Sequence, residues 1–462
     1  MANAPANGAS EETQTRIDGE MAAADPFGAD PAGYVADFNN RIMEAYARSA
    51  GSTELDADAG TARSLIPPAT AALRDFSYIG SELPRLVEGA CVGCMECVTE
   101  CPDTAIVAKV VDEPTLESHL REVADLDQRD WLRKQFTATT KYYEAVKKRG
   151  ETPGMFGLFI DPAKCKACGE CVTACGDHKA LEMVHKQPDD VPRLRRGFDF
   201  FTRLPQTPSR FIREKVLADM MLSLDRSMLY VGGAGSCPGC GEGTAIRMML
   251  AATGFVNGPD SAAIVAATGC NTVFGSTYPY NPFKVPWTNS LFENAPAVAM
   301  GVRLRWDQMG WKSKRVWVIG GDGALYDIGF GSLSRMLASG MDVKVLALDT
   351  QVYSNTGGQT STASFTAQPS KMSPFGKAVA GKQERRKELG VIAMMHPDVF
   401  VAQTTCAHIN HFYRAIMDAN SFHGPAVINV YATCQPEHGV AEDCSVVQAQ
   451  LAVESRAYPL FV

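Results

Sequence analysis

"VWVIGGDGALYDIGFGSLSRML" occupies Val316–Leu337, and its reading decides the architecture around it. Val316–Ile319 is a short apolar, strand-like run. "GGDG" (Gly320–Gly323) breaks the run, and a helix-like stretch follows. A second strand-like run, "VKVLALDT" (Val343–Thr350), leads into "QVYSNTGGQ", and 25 residues separate Gly323 from Asp349. Strand, glycine turn, helix and strand in that order make a parallel βαβ unit. The same alternation extends from about residue 228 to the end, with strands such as "AAIVAA" (Ala262–Ala267). The expected class is therefore α/β, a mainly parallel sheet flanked by helices.

The GDG turn carries chemistry. Gly321 and Gly323 let the backbone approach a diphosphate closely. Asp322 offers a carboxylate to Mg2+, which favours octahedral oxygen ligands shared with phosphates. The helix start supplies N–H dipoles, and the loop near Thr350 adds a hydroxyl and a backbone carbonyl. Both loops belong at carboxyl ends of parallel strands, where α/β folds bind ligands. A lone GDG is a weak signal. GDG followed 25 residues later by a second polar strand end is the signature of a thiamine diphosphate and Mg2+ site.

Fourteen cysteines in a large chain point to metal or redox chemistry rather than a disulfide scaffold. "CVGCMECVTECP" places Cys91, Cys94, Cys97 and Cys101 as C-x2-C-x2-C-x3-C-P, and "CKACGECVTACG" repeats the spacing at Cys165, Cys168, Cys171 and Cys175. This is the two-cluster bacterial ferredoxin pattern, in which three thiolates hold one [4Fe–4S] cube and the fourth reaches the other. The expected sets are Cys91, Cys94, Cys97 and Cys175 for the first cube, and Cys101, Cys165, Cys168 and Cys171 for the second. Gly176 stands where the motif usually has proline, which puts the turn there in question. "SCPGCGEG" (Ser236–Gly243) adds Cys237 and Cys240, half of a four-ligand site.

Bulk properties bound the rest. The chain has 462 residues, 45% hydrophobic and 21% charged, with net charge −8. Residues 1–90 hold fourteen Asp and Glu against six Arg and no Lys, which accounts for the whole imbalance. No basic stripe favours nucleic acid. No run of 18 apolar residues suggests a membrane span, and the polar N-terminus lacks a secretory pattern, so the cytoplasm is the expected compartment. The expected division is an acidic Ala/Gly-rich extension over 1–80, partly helical around Tyr34–Ala50; a cluster domain over 81–190 with a charged helical insert; a connector over 191–227; and the thiamine-binding domain over 228–462.

Taken together, "SCPGCGEG", "AATGCNTVFG", "PWTNSLFENA", "GGDGALYDIGFGSL", "DTQVYSNTGGQ" and "YATCQPEHG" resemble the C-terminal part of pyruvate:ferredoxin oxidoreductase, within the 2-oxoacid:ferredoxin oxidoreductases. The resemblance covers roughly residues 85–460, and "YSNTGGQ" in particular resembles the pyruvate-type enzymes. It implies a proximal [4Fe–4S] cluster held by Cys237, Cys240, Cys270 and Cys434, which would complete the half-site by folding. It also implies thiamine diphosphate contacts from Glu242, Cys270, Gly321, Asp322, Gly323, Ala324, Thr350, Val352, Tyr353, Ser354 and Asn355. Mg2+ would be held by Asp322, Thr350 and the carbonyl of Val352. Asn355 matches a position near the reacting carbon, where an amide could donate to a developing oxyanion; a plain turn-forming asparagine is the other reading. Cys406 and Cys444 match nothing in the pattern and are read as structural, as are His408 and His411. His438 lies close enough to Cys434 to tune a cluster.

The implied reaction is reversible oxidation of a 2-oxo acid, with coenzyme A taking the acyl group. Electrons would leave singly through three cubes to ferredoxin or flavodoxin. The family's glutamate for the aminopyrimidine ring and its substrate-carboxylate clamp lie in N-terminal domains absent from this sequence. A second subunit is therefore expected, in an (αβ)2 assembly. The sequence ends at "AYPLFV", where the family often continues with a tail. Three alternatives stay open: 2-oxoglutarate or another 2-oxo acid as substrate, a non-redox thiamine lyase, and an electron-transfer subunit with a vestigial thiamine fold.

Overall fold

The computed structural model describes residues 30–55 and 66–462; the rest of the acidic extension, 1–29 and 56–65, lies outside the described residues. The expected N-terminal helix begins at Pro31 and ends at Ala47, with a π turn at Phe38–Met43. It starts early because Asp30 caps it, accepting from Gly33 N at 2.8 Å, with Pro31 at the first helical position. Its Phe38 stacks on Tyr278 at 6.0 Å, which docks the helix on the body. The stretch that follows is not all extension. Thr70, Ala71 and Phe76 are buried, and the N–H groups of Ala69 and Ala71 donate to the carbonyls of Phe283 and Asn281.

Five strands precede residue 190 among the described residues: β1 (Glu82–Leu86), β2 (Ile106–Asp112), β3 (Phe136–Thr137), β4 (Gly154–Ile160) and β5 (Leu181–His185). The chain repeats one unit twice: strand, cysteine loop, short helix, strand. Helix Glu96–Glu100 serves the first unit and helix Glu170–Cys175 the second. The outer strands β1 and β5 pair antiparallel, as do the inner strands β2 and β4. The inner pair is a hairpin closed by residues 113–153, the charged insert, which adds β3 to the edge. Side-chain parity assigns its faces. Ile106, Ala108 and Val110 turn toward the cysteines, while Val107 and Val111 join Phe159 under the insert and helix Asp190–Arg203. Phe200 and Phe201 of that helix are buried there, so this part of the expected connector packs as core.

Eight strands follow: β6 (Ala262–Ala267), β7 (Trp287–Ser290), β8 (Arg315–Gly321), β9 (Val343–Asp349), β10 (Val352–Tyr353), β11 (Gln359–Thr360), β12 (Phe400–Thr405) and β13 (Ala426–Tyr431). Six form one sheet in the order β12-β13-β9-β8-β6-β7, and every pairing is parallel. The apolar runs read in the sequence are strands with two buried faces. Trp317, Ile319, Leu346 and Leu348 meet helices Gly241–Asn257 and Ile409–Ser421 on one side. Val316, Val318, Val343 and Val345 meet helices Ala295–Gln308 and Phe330–Leu337 on the other. Truncating a fully buried side chain such as Trp317 would cost about 3–5 kcal/mol. Among the described residues no helix is long and apolar enough to cross a membrane.

A buried cation, Arg247, helps to join the two halves. Arg247, on helix Gly241–Asn257, donates to the carbonyls of Val98, Thr99 and Cys101. It thereby satisfies the free carbonyl end of helix Glu96–Glu100.

Candidate functional site

Strand order explains why distant residues converge. β9, β8 and β6 are neighbours, and the segments just beyond their carboxyl ends form one cleft of about 290 Å3. Thr268, Gly269 and Cys270 follow β6, Gly321–Ala324 surround the end of β8, and Thr350 and Tyr353 to Thr356 follow β9. Glu242 enters from the first turn of helix Gly241–Asn257. Of the residues the sequence assigned to thiamine diphosphate, all but Val352 line this cleft. Val352 is buried beneath it, and its carbonyl accepts from Thr350 Oγ1. A Cβ at Gly323 would lie 2.9 Å from the Tyr353 ring, which would have to shift to admit it.

The three groups expected to hold Mg2+ are adjacent. Thr350 Oγ1 lies 3.4 Å from Asp322 Oδ1 and 3.0 Å from the Val352 carbonyl oxygen. Octahedral ligands at about 2.1 Å from a shared ion stand about 3.0 Å from one another. Asp322 is 2% exposed, yet its Oδ2 has no partner. Burial and the Asp349 charge push its carboxyl well above the usual range. A buried carboxylate with a free oxygen beside a hydroxyl and a carbonyl suits a hard cation. Glu242 Oε2 is likewise buried without a partner, and burial pushes this carboxyl up to about 7. Asp349 ends β9 but turns away from the cleft, held by Tyr326 Oη at 2.7 Å and Arg386 at 2.5 Å.

Cysteines gather in three sets. Cys91, Cys94, Cys97 and Cys175 surround one small cavity, and Cys101, Cys165, Cys168 and Cys171 surround a second. These are the crossed sets expected from spacing. Burial pushes the Cys91 thiol up to about 11 and the Cys165 thiol up to about 12, with neighbouring cysteines adding. Buried thiols ringing a cavity are the setting in which a bound metal deprotonates its ligands. The backbone N–H of Ala105 donates to Cys101 Sγ at 3.3 Å, and that of Ala180 to Cys175 Sγ at 3.2 Å. Gly176, the departure from proline, has φ +51°, an angle proline cannot adopt. Among the described residues no three His, Cys, Asp or Glu side chains converge on a single-ion site.

The third set forms at the cleft itself. Cys270 follows β6, Cys434 follows β13, and Cys237 and Cys240 lie on the turn before helix Gly241–Asn257. Burial raises the Cys240 and Cys270 thiols, with Glu242 and the other members of the set adding. Gly239 is obligatory in the "CPGC" turn: its φ is +71°, and a Cβ there would collide with the Glu442 carbonyl. Two links join Cys434 to the Thr350 loop. Ser354 donates to Thr350 Oγ1 at 2.8 Å and contacts the Cys434 thiol. His438 accepts from the Cys434 N–H at Nδ1 (3.4 Å) and donates from Nε2 to the Thr350 carbonyl at 2.8 Å.

Other expectations resolve simply. Cys406 is buried outside the three sets, and Cys444 donates to Asp443. His408 and His411 bond Thr405 and Thr404 at the start of helix Ile409–Ser421. Asn355 stands on the cleft rim. Sequence reasoning missed Thr268, Asn271, Phe292 and Ile328, which line the cleft from strand ends and helix starts. No side chain lining it is cationic.

Residues 267–430 match the thiamine pyrophosphate enzyme family, C-terminal TPP-binding domain. The chain is 36% identical to the pyruvate synthase subunit PorB of Pyrococcus furiosus, over 50% of this chain and 71% of that protein. It is 30% identical to a probable pyruvate-flavodoxin oxidoreductase of Escherichia coli, over 83% of this chain and 36% of that protein. Identity to the pyruvate:ferredoxin oxidoreductase of Moorella thermoacetica is 29%, with the same coverage. The chain thus spans about a third of the length of these two oxidoreductases. A solved 2-oxoglutarate:ferredoxin oxidoreductase of Magnetococcus marinus covers 44% of this chain and 65% of that one, at 22% identity and TM-score 0.37, too low to carry an argument.

Proposed function

The chain belongs to the 2-oxoacid:ferredoxin oxidoreductase family, and from that premise we propose that it is the subunit carrying the thiamine diphosphate and Mg2+ site and three [4Fe–4S] clusters. The reaction is oxidation of pyruvate with coenzyme A to acetyl-CoA and CO2. Two electrons leave singly to ferredoxin or flavodoxin, and the reaction is reversible. The pyruvate assignment follows the names of the relatives.

One observation carries this reading: the cleft and the third cysteine set share a wall. Cys270 and Glu242 line the cleft, and Ser354 and His438 tie Cys434 to Thr350. A vestigial cleft or ornamental cysteines would not need that contact. When bound, thiamine diphosphate supplies the electron sink for decarboxylation, and the cubes accept single electrons.

The chain's own residues have separate tasks. Gly321 and Gly323 keep the diphosphate wall free of side chains. Asp322, Thr350 and the Val352 carbonyl hold the cation. The Asn355 amide, on the rim, orients the keto oxygen of the 2-oxo acid and stabilises charge developing there. The twin cysteine units form a ferredoxin-like module that carries electrons outward. The cleft wall offers no cation for the substrate carboxylate. A second subunit provides that group and the acid for the thiamine ring, in an (αβ)2 assembly in the cytoplasm.

Iron and acid-labile sulfide, measured with reduced-state electron paramagnetic resonance on anaerobically purified protein, test the reading. About 12 iron per chain fits three cubes. About 8 would leave the cleft without its electron exit and move the non-redox and vestigial readings ahead.

A further inference from the structure

We propose that Lys166 is the positioning residue that locks the second cube's ligand shell onto the loop of the proximal cube, and that its charge sets the potentials of both. The inference rests on the cluster assignment above.

A lysine in the "CKAC" loop would ordinarily extend into water. The Lys166 side chain is 3% exposed. An ammonium has three N–H donors, and the structure accounts for each. They reach Asp103 Oδ1 at 2.7 Å, the Ser236 carbonyl at 2.8 Å and Ser236 Oγ at 2.9 Å. Each partner neighbours a cluster ligand. Lys166 follows Cys165, Asp103 lies two residues after Cys101, and Ser236 precedes Cys237. One ammonium therefore joins two ligand segments of the second cube to one of the proximal cube.

The surroundings fix this arrangement. The Phe76 ring lies 5.0 Å from Lys166 Nζ. Gly232 has φ +75°, and any Cβ there would collide with the Asp103 carbonyl. Lys166 and Asp103 both line the cavity ringed by the second cysteine set. A charge in this dry position acts on an added electron with little screening. Cluster potentials respond to nearby charge and to hydrogen bonding. No bond is made or broken in this role: with both cubes bound, an electron passing between them would oxidise one and reduce the other, and Lys166 would act only through its charge and its hydrogen bonds.

Redox titrations of the full chain, followed cube by cube by electron paramagnetic resonance with iron counted, provide the test. Three variants are compared with wild type: Lys166→Gln, Asp103→Asn and their combination. Lys166→Gln removes a positive charge and should lower both midpoints. The expected shift is at least tenfold in the reduced-to-oxidised ratio at fixed potential, 59 mV for one electron. Asp103→Asn should raise them, and the double variant should lie near wild type. The cube of Cys91, Cys94, Cys97 and Cys175 should not move. A purely structural lysine would leave the potentials of iron-replete variants unchanged, and that result overturns the proposal, as would shifts of one sign in both single variants. If Lys166→Gln loses iron, the double variant decides: recovered iron with near-wild-type midpoints supports the proposal, and continued loss overturns it. Wild-type protein with fewer than three cubes would instead overturn the functional reading.

Discussion

Asp322 keeps one carboxylate oxygen buried and unpartnered. With no donor paired to that oxygen, a bound cation is the partner that would offset the burial of its charge. Asp322→Asn preserves the shape and removes the charge. It should weaken Mg2+-dependent thiamine diphosphate binding on the order of 100-fold, equal to about 2.7 kcal/mol, while iron content stays at the wild-type value. Calorimetric binding beside an iron assay checks both halves; undiminished affinity would remove Asp322 from the cation site. Gly176 makes the opposite point about motif residues. Its positive φ shapes the turn that carries Cys175 toward the first set. Installing the motif's usual residue, Gly176→Pro, should therefore lose about four iron per chain, the content of one cube. Iron analysis reads this directly, and full retention would show that the turn tolerates either conformation.

Elements were legible wherever burial imposed a period. β8 and β9 read as strands because both faces are covered, and the GDG turn was legible because it must end one strand and open a helix. The repeated cysteine spacing, taken with the two-cluster ferredoxin pattern, was enough to group the eight cysteines as they line the two small cavities. Contacts between elements were not. Nothing local marks His438 as the link to Thr350, or Thr268 and Phe292 as cleft residues; strand order places them. The connector also hid its role. The β2 face beneath it buries Lys109, whose Nζ donates to the Phe201 and Leu204 carbonyls at 2.8 and 2.7 Å. Lys109→Met would strand two carbonyls and should cost about 2–3 kcal/mol. Burial lowers the Lys109 pKa to about 8, whereas an unfolded lysine titrates near 10.4. Between these values the unfolded chain binds more protons, so the wild type gains stability as pH rises through the window. Its advantage over Lys109→Met should widen by about 1 kcal/mol per pH unit there. Denaturant midpoints at pH 7.5 and 9.5 measure it; a constant gap would mean that Lys109 is not desolvated.

At the scale of the whole molecule, two bodies are joined by buried charge, through Arg247 and through Lys166. The sheet's carboxyl edge holds the cleft, and Leu291, Phe292 and Ile328 stand exposed around it. A cleft without a cation for a carboxylate is chemically half of a site. The chain alone should bind thiamine diphosphate with Mg2+ and retain its iron. It should reduce no ferredoxin with pyruvate and coenzyme A until the second subunit is supplied. Turnover by the lone chain, followed by ferredoxin absorbance, would show that the missing groups lie here after all. The ligand order along the chain also sets a schedule for synthesis. Cys237 and Cys240 emerge from the ribosome nearly two hundred residues before Cys434. At about 5–20 residues per second, the pair waits roughly 10–40 s for its last partner. Cys270 joins them after 30 more residues, so through most of that interval three thiols stand open to oxidation, and a cube held by all four cysteines would be completed only once Cys434 is made.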